Sequence, residues 1–303
     1  MVYNGAAKEA TVLISGDCIP CILNMGLTIA HQAGLDEART MSFMKSITDV
    51  KLFGGKNSHA VTSSHVILDV WSRLIAVTQD PDPLRRAKKE QNMAAMRFYP
   101  EVKERVRRSP DAIAEAAALA AMGNALDAMK GEIARPSGER LRLFSEKKVK
   151  PQAVRVFKER LRRAKKILYF GDNCGEIVFD KLLVEAIREA YAADMLFVVR
   201  SLPVLNDATT AEARSIGLHK IVPVIDNGSR VPLPGTSIKK VSPEVLTLIK
   251  EADLVIAKGG GNHDSMTEEP EFAGKTTYLF QTKCRPYAAL YQTRVGTPVL
   301  HNG

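Results

Sequence analysis

Ile167-Leu168-Tyr169-Phe170-Gly171-Asp172-Asn173-Cys174-Gly175-Glu176 is the stretch that decides the fold. Four apolar residues make a strand-like run, glycine breaks it, and a strongly apolar helical pattern begins at Ile177. That order is a strand–loop–helix unit, and open α/β folds bind ligands at the carboxyl ends of their strands. The loop here carries two carboxylates and an amide. Hard oxygen donors crowded at a strand end suit a divalent cation and, through it, phosphate chemistry.

Working outward, the C-terminal side repeats the unit. Apolar runs at Met195–Val199, Ile221–Ile225, Leu254–Ala257, Thr277–Phe280 and Thr297–Leu300 read as further strands. Helix-like stretches separate most of them: Ile177–Tyr191, Thr210–Ile216, Pro243–Glu251 and Tyr287–Tyr291. Strands alternating with helices predict right-handed βαβ units and a mainly parallel sheet, and their near-continuous apolar character predicts cover on both faces.

The N-terminal side reads as helical. Cys21 to Ala33, Asp36 to Asp49 and Ser63 to Val77 have helical spacing, with a break at Gly54-Gly55-Lys56-Asn57. Asp82 is placed to cap, and Pro83 to open, a helix running through Arg97. An alanine-rich helix follows Ser109-Pro110-Asp111 and is interrupted at Gly123-Asn124. The fold class expected is therefore α/β. Residues 1–150 form an all-helical region, packed on a Rossmann-like, doubly wound domain at residues 151–303.

Composition narrows the function classes. At 303 residues, 45% hydrophobic and 25% charged, the chain is ordinary for a globular protein, and it has no apolar stretch able to span a bilayer. With no secretory h-region at Met1 to Ala10, the cytoplasm is the expected location. Four cysteines make no disulfide framework. Cys18 and Cys21 form one CxxC without a second, and read as two thiols near a helix start, with a redox pair or half a metal site as the alternatives. The net charge of +9 gathers at Lys103 to Arg108 and Arg140 to Lys166. Val154, Phe157 and Leu161 form an apolar stripe there, so Lys158 to Lys166 reads as the solvated side of an amphipathic helix rather than a nucleic-acid motif.

The polar residues that carry chemistry cluster at strand ends, which a parallel sheet brings to one edge. Asp172, Asn173 and Asp207 offer oxygen ligands suited to Mg²⁺ or Mn²⁺. Lys258-Gly259-Gly260-Gly261-Asn262 reads as a glycine loop able to cradle phosphate, with Lys258 as its cation. Glu176 is a candidate base, or a residue that orients metal-bound water. Taken singly, Asp172-Asn173 and Asn206-Asp207 are ordinary caps or turns, and His263 reads as a loop residue. No Walker lysine–hydroxyl pair or dinucleotide fingerprint is present.

Assembled, these stretches resemble the metal-dependent damage-control phosphatase family, formerly domain-of-unknown-function family 89. Asp172-Asn173-Cys174-Gly175-Glu176 is similar to its Asp-Asn-x-Gly-Glu motif. Pro203 to Thr209 resembles its second metal motif, and Lys258 to Asn262 its Lys-Gly-x-Gly-Asn loop. In the helical half, Asp82-Pro83 with Lys89 and Asn92, and Gly123-Asn124 with Asp127, look like the family's N-terminal elements, and the Cys18–Cys21 pair is similar to one seen in its prokaryotic branches. Cys174 departs from the small residue more usual at its position and predicts sensitivity to oxidation.

The resemblance implies hydrolysis of small phosphomonoesters on sugars or damaged metabolites. It implies one divalent cation (Mn²⁺, Mg²⁺, Co²⁺ or Ni²⁺) on Asp172, Asn173 and Asp207. The catalytic set expected is Asp172, Asp207, Glu176 and Lys258. Phosphate contacts are expected from Asn124, Asn206, Lys258, Gly259, Gly260, Gly261 and Asn262. A binding protein for metal and sugar phosphate or nucleotide without turnover is the alternative, and a nucleic-acid-binding protein stands behind it.

Overall fold

Burial on both faces turns the apolar runs into a sheet. The computed structural model describes residues 12–50, 62–123 and 148–303. Six strands form: β1 Lys166–Phe170, β2 Asp194–Val199, β3 Val224–Asp226, β4 Leu254–Lys258, β5 Thr276–Gln281 and β6 Pro298–Asn302. Their order is β3-β2-β1-β4-β5-β6, and only β6 runs antiparallel. The order switches direction between β1 and β4, so the loops after these two strands diverge and open a crevice. β3 is shorter than the run Ile221–Ile225 because Pro223 has no N–H to give to a ladder.

The helices are α1 Cys18–Gln32, α2 Glu37–Thr48, α3 Ser63–Thr78, α4 Arg85–Met96, α5 Tyr99–Arg108, α6 Ala112–Gly123, α7 Pro151–Arg163, α8 Glu176–Ala190, α9 Thr210–Ser215, α10 Pro243–Glu251, α11 Gly259–Met266 and α12 Arg285–Leu290. Local chemistry fixes several starts. Asp36 accepts from the Arg39 N–H at 2.8 Å, Ser242 accepts from Val245 beside Pro243, and Thr209 with Glu212 forms a capping box. Two expectations need correction. The helix expected from Asp82-Pro83 begins only at Arg85, because the Asp82 carboxylate turns instead to Lys88, 2.9 Å away. The glycines at 259 to 261 are not a loop; they open α11, and His263 lies within that helix. Asn124, Asp127, Gly54 to Asn57 and residues 140–147 of the basic stretch lie outside the described residues.

Three cores result. On one sheet face Ile167, Tyr169 and Phe197 pack with α8, the alanines of α6, and Val154, Phe157 and Leu161 of α7. The apolar stripe of the basic helix is thus buried, and Arg160 reaches the carbonyls of Gly274 and Thr276. On the other face Leu168, Phe170 and Val198 meet Val245 and Ile249 of α10. A separate core joins α1, α2 and α3 through Ile29, Phe43, Ile47, Val70, Trp71 and Leu74. Val204 and Leu205, from the loop after β2, insert into it, and Trp71 donates to the Pro203 carbonyl at 3.1 Å. These helices therefore form a cap held over the carboxyl edge of the sheet. No helix among the described residues is long and apolar enough to cross a membrane.

Candidate active site

Backbone hydrogen bonds stitch the loop after β1 to the loop after β2. Cys174 N–H donates to the Asn206 carbonyl and Ala208 N–H to the Asp172 carbonyl, both at 2.8 Å. Asn173 and Asp207 thereby face each other as an isolated bridge. The two loops that sequence spacing proposed as partners are in contact.

Arg200, at the end of β2, fixes the acids. Its Nη2 donates to Asp172 Oδ1 at 3.0 Å, its Nε to Asp207 Oδ2 at 2.6 Å, and its Nη1 to Thr236 Oγ1 at 2.8 Å. A planar guanidinium suits this task, since it holds two carboxylates in one plane at a set spacing. Asp172 also lies on Gly259, whose φ is +78° and where a Cβ would overlap the carboxylate. Only glycine fits there.

Beneath the acids is a buried relay. Asn173 Nδ2 donates to Glu176 Oε1 at 2.8 Å and to Asp172 Oδ2 at 3.2 Å. With its nitrogen so engaged, the amide turns its oxygen elsewhere. Lys258 Nζ lies 2.8 Å from Asp180 Oδ1 and 3.5 Å from Glu176 Oε2, and Tyr169 Oη donates to Asp180 at 2.9 Å. Lys258, Glu176 and Asp180 are all fully buried. Burial alone would lower the Lys258 ammonium, but Asp180 and Glu176 outweigh it and hold the pKa above its ordinary value. Burial, followed by the charges of Asp207 and Glu176, holds Asp172 well above the usual carboxylate range despite Arg200 and Lys283.

This linked network contains four buried carboxylates (Asp172, Glu176, Asp180, Asp207) and two buried cations (Arg200, Lys258). Four carboxylates for two cations, beside an amide oxygen, fit a divalent cation of the hard class. Among the described residues no three His, Cys, Asp or Glu side chains are arranged as metal ligands. The set in question is two carboxylates and an amide.

A cavity of about 250 Å³ opens above the acids, between the cap and the sheet edge. Asp172, Asn173, Asn206, Asp207, Gly260 and Gly261 line it, together with Asp264 and Lys283. The cap contributes an apolar wall of Ile14, Ile22, Met25 and Ile67, and the polar Ser63. Ser63 Oγ donates to Asp264 Oδ2 at 2.9 Å, and Tyr287 Oη to Asp264 Oδ1 at 2.5 Å. Among the expected phosphate contacts, Lys258, Gly259 and Asn262 stand away from this lining. Asn262 Nδ2 instead donates to the carbonyls of Gly171 and Lys258, tying the ends of β1 and β4 together. His263 is enclosed by the rings of Tyr278, Phe280, Tyr287 and Tyr291. Cys174 is buried too, and burial pushes its thiol up, which protects it from the oxidation its position suggested.

Arg200, Asp180, Asp264 and Lys283 were not singled out by sequence. An arginine at a strand end beside the Asn206-Asp207 turn was the available signal for Arg200. The other three follow only from how the helices pack.

A Rossmann-like sheet with a helical cap, and an acid pair at its switch point, places the candidate site in the crevice where open α/β folds bind their ligands. The chain belongs to the damage-control phosphatase ARMT1-like family, whose model matches residues 14–299. It is 30% identical over 296 residues to an uncharacterized protein of Methanocaldococcus jannaschii, covering 96% of this chain and 95% of that one. It is 27% identical over 270 residues to the damage-control phosphatase PH1575 of Pyrococcus horikoshii, covering 88% and 90%. The crystal structure of that DUF89 family protein superimposes with a TM-score of 0.78 at 26% identity, over 96% of this chain and 99% of that chain. Membership of this family makes the chain a phosphatase.

Proposed function

We propose that the protein is a divalent-metal-dependent hydrolase of small phosphomonoesters, with Mn²⁺, Mg²⁺, Co²⁺ or Ni²⁺ as its cation. The observation that carries this reading is the excess of buried carboxylate at the cavity floor, facing backbone amides at a helix start. Asp172, Asp207 and the Asn173 carbonyl would hold the cation, which supplies Lewis-acid polarisation of a phosphoryl oxygen when bound. The remaining work falls to the chain. Arg200 keeps one oxygen of each aspartate engaged and so sets their orientation. Glu176 fixes the Asn173 amide rather than reaching substrate, and Lys258 with Asp180 fixes Glu176.

The phosphate itself meets Gly260 and Gly261, whose N–H groups belong to the first turn of α11, where anions are favoured. Lys283 is the cation that lines the cavity, so it takes the role that sequence spacing gave to Lys258. These donors oppose the charge that spreads over the equatorial oxygens during transfer. The organic part of the substrate lies against the apolar cap wall, with Ser63 and Asp264 available to hydroxyl groups. Small phosphorylated metabolites, including sugar phosphates, fit this lining and volume. In the cytoplasm, the location proposed, such substrates are abundant.

The test is hydrolysis of p-nitrophenyl phosphate and a panel of sugar phosphates across the four metals. Activity should need one of them, and Asp172→Ala should abolish it while the protein remains folded by circular dichroism. Full metal-stimulated activity in that variant would sink the assignment. Binding of Mn²⁺ and phosphate without turnover would leave a binding protein instead.

A further inference from the structure

The CxxC at Cys18 and Cys21 has no part in the phosphatase reading, yet the structure brings it to the mouth of the same cavity. Cys18 is the first residue of α1 and Cys284 the residue before α12; both line the cavity, as does Cys21. Their chain neighbours are joined directly. Arg285 donates to Asp17 through Nη2 at 2.6 Å and Nε at 3.0 Å, a two-point contact across the seam between cap and sheet. The two segments that carry Cys18 and Cys284 are thus held side by side, and neither of these two cysteines is in a disulfide.

From this juxtaposition we infer that Cys18 and Cys284 are an oxidisable pair, whose disulfide fastens the cap to the sheet across the mouth of the cavity and shuts the site. Cys18 and Cys284 are half-buried and Cys21 is exposed, so a small oxidant has access. Burial pushes the Cys284 thiol up, opposed by the hydrogen bond from the Tyr287 backbone. Ser15 N–H donates to the Cys18 sulfur at 3.4 Å. Among the described residues, the thiols form no metal-ligating group of three with one another or with His, Asp or Glu. Lys283 precedes Cys284 in the chain and lines the cavity, so a bond at 284 restrains the cation assigned to phosphate.

With hydrogen peroxide as oxidant the chemistry balances. The Cys18 sulfur attacks one peroxide oxygen, the O–O bond breaks, and one water leaves a sulfenic acid. The Cys284 sulfur then attacks that sulfur, the S–S bond forms, and the oxygen departs as a second water with the Cys284 proton. Two thiols are oxidised and one peroxide is reduced.

The test treats the full chain with hydrogen peroxide and maps disulfides in peptides by mass spectrometry without reduction. A Cys18–Cys284 linkage, with the loss of two hydrogens, is expected, together with loss of p-nitrophenyl phosphate hydrolysis that dithiothreitol restores. Cys21→Ser should still form the linkage. Cys284→Ser should not, and its treated and untreated activities should be equal. A Cys18–Cys21 linkage alone, or no linkage, would overturn the inference. The activity arm rests on the phosphatase reading; the peptide map does not, so the two can fail separately.

Discussion

Gly259 shows how much a single residue decides. Its φ of +78° lies in the left-handed region, and the Asp172 carboxylate occupies the space a side chain would need. Gly259→Ala therefore has two effects. Backbone strain costs about 1–3 kcal/mol, and the added methyl pushes Asp172 away from Asp207. Calorimetry should find a folded protein with a lowered melting midpoint, and assay should find the metal-stimulated hydrolysis lost. A folded variant with wild-type activity would show that Asp172 does not need this seat. Arg200 works at the same scale from the other side, since it meets Asp172 and Asp207 at 3.0 and 2.6 Å. Neither contact is written in local sequence, because the direction of a side chain at a strand end is set by whatever packs above it.

At the scale of elements, α4 is the brace behind the loops after β1 and β2. Its Asn92 Oδ1 accepts from the Gly175 N–H at 2.7 Å, where φ is +81°, and its Gln91 Oε1 accepts from Asn206 Nδ2 at 3.3 Å. The fully buried Lys88 binds α4 to α9, with Asp82 at 2.9 Å and Glu212 at 3.0 Å. Removing the cation leaves two carboxylates without their partner, so Lys88→Ala should lower stability by about 3–5 kcal/mol in denaturant melts. Burial alone would raise Glu212, but Lys88 and the Thr209 hydrogen bonds outweigh it and hold the pKa below its ordinary value. A lowered carboxylate contributes stability above its unfolded pKa and loses it as pH falls through the folded one. The stability owed to Glu212 should thus persist at neutral pH and fade below the usual glutamate range, and Lys88→Ala should lack that acid limb. Sequence showed a helix here, but Asp82 as its cap. The capping preference is worth about 1 kcal/mol, and the buried pair with Lys88 outweighs it.

For the whole molecule, what was legible and what was not divides by the range of the interaction. The strands announced themselves because both faces are buried, and α7 because Val154, Phe157 and Leu161 fall on one stripe. The convergence of Asp172, Asn173 and Asp207 followed from parallel topology alone. The sharing of buried charge did not. Lys258, expected at the phosphate, is buried 2.8 Å from Asp180, one helical turn past Glu176. Lys283, just before α12, lines the cavity instead. The cavity also draws its walls from separate cores, with Ile22 and Met25 on the cap side and Asp172 at the sheet edge. A ligand that binds there couples the cap to the sheet, and whatever binds only the folded chain stabilises it by mass action, about 2.7 kcal/mol at a hundredfold excess over Kd. Mn²⁺ together with inorganic phosphate should therefore raise the melting midpoint of the whole chain in one transition, more than either alone. Asp207→Asn should remove the Mn²⁺ part of that shift, because it replaces one of the two carboxylates proposed to hold the cation. A midpoint that rises equally in wild type and Asp207→Asn would mean that the cation binds somewhere other than between the two loops.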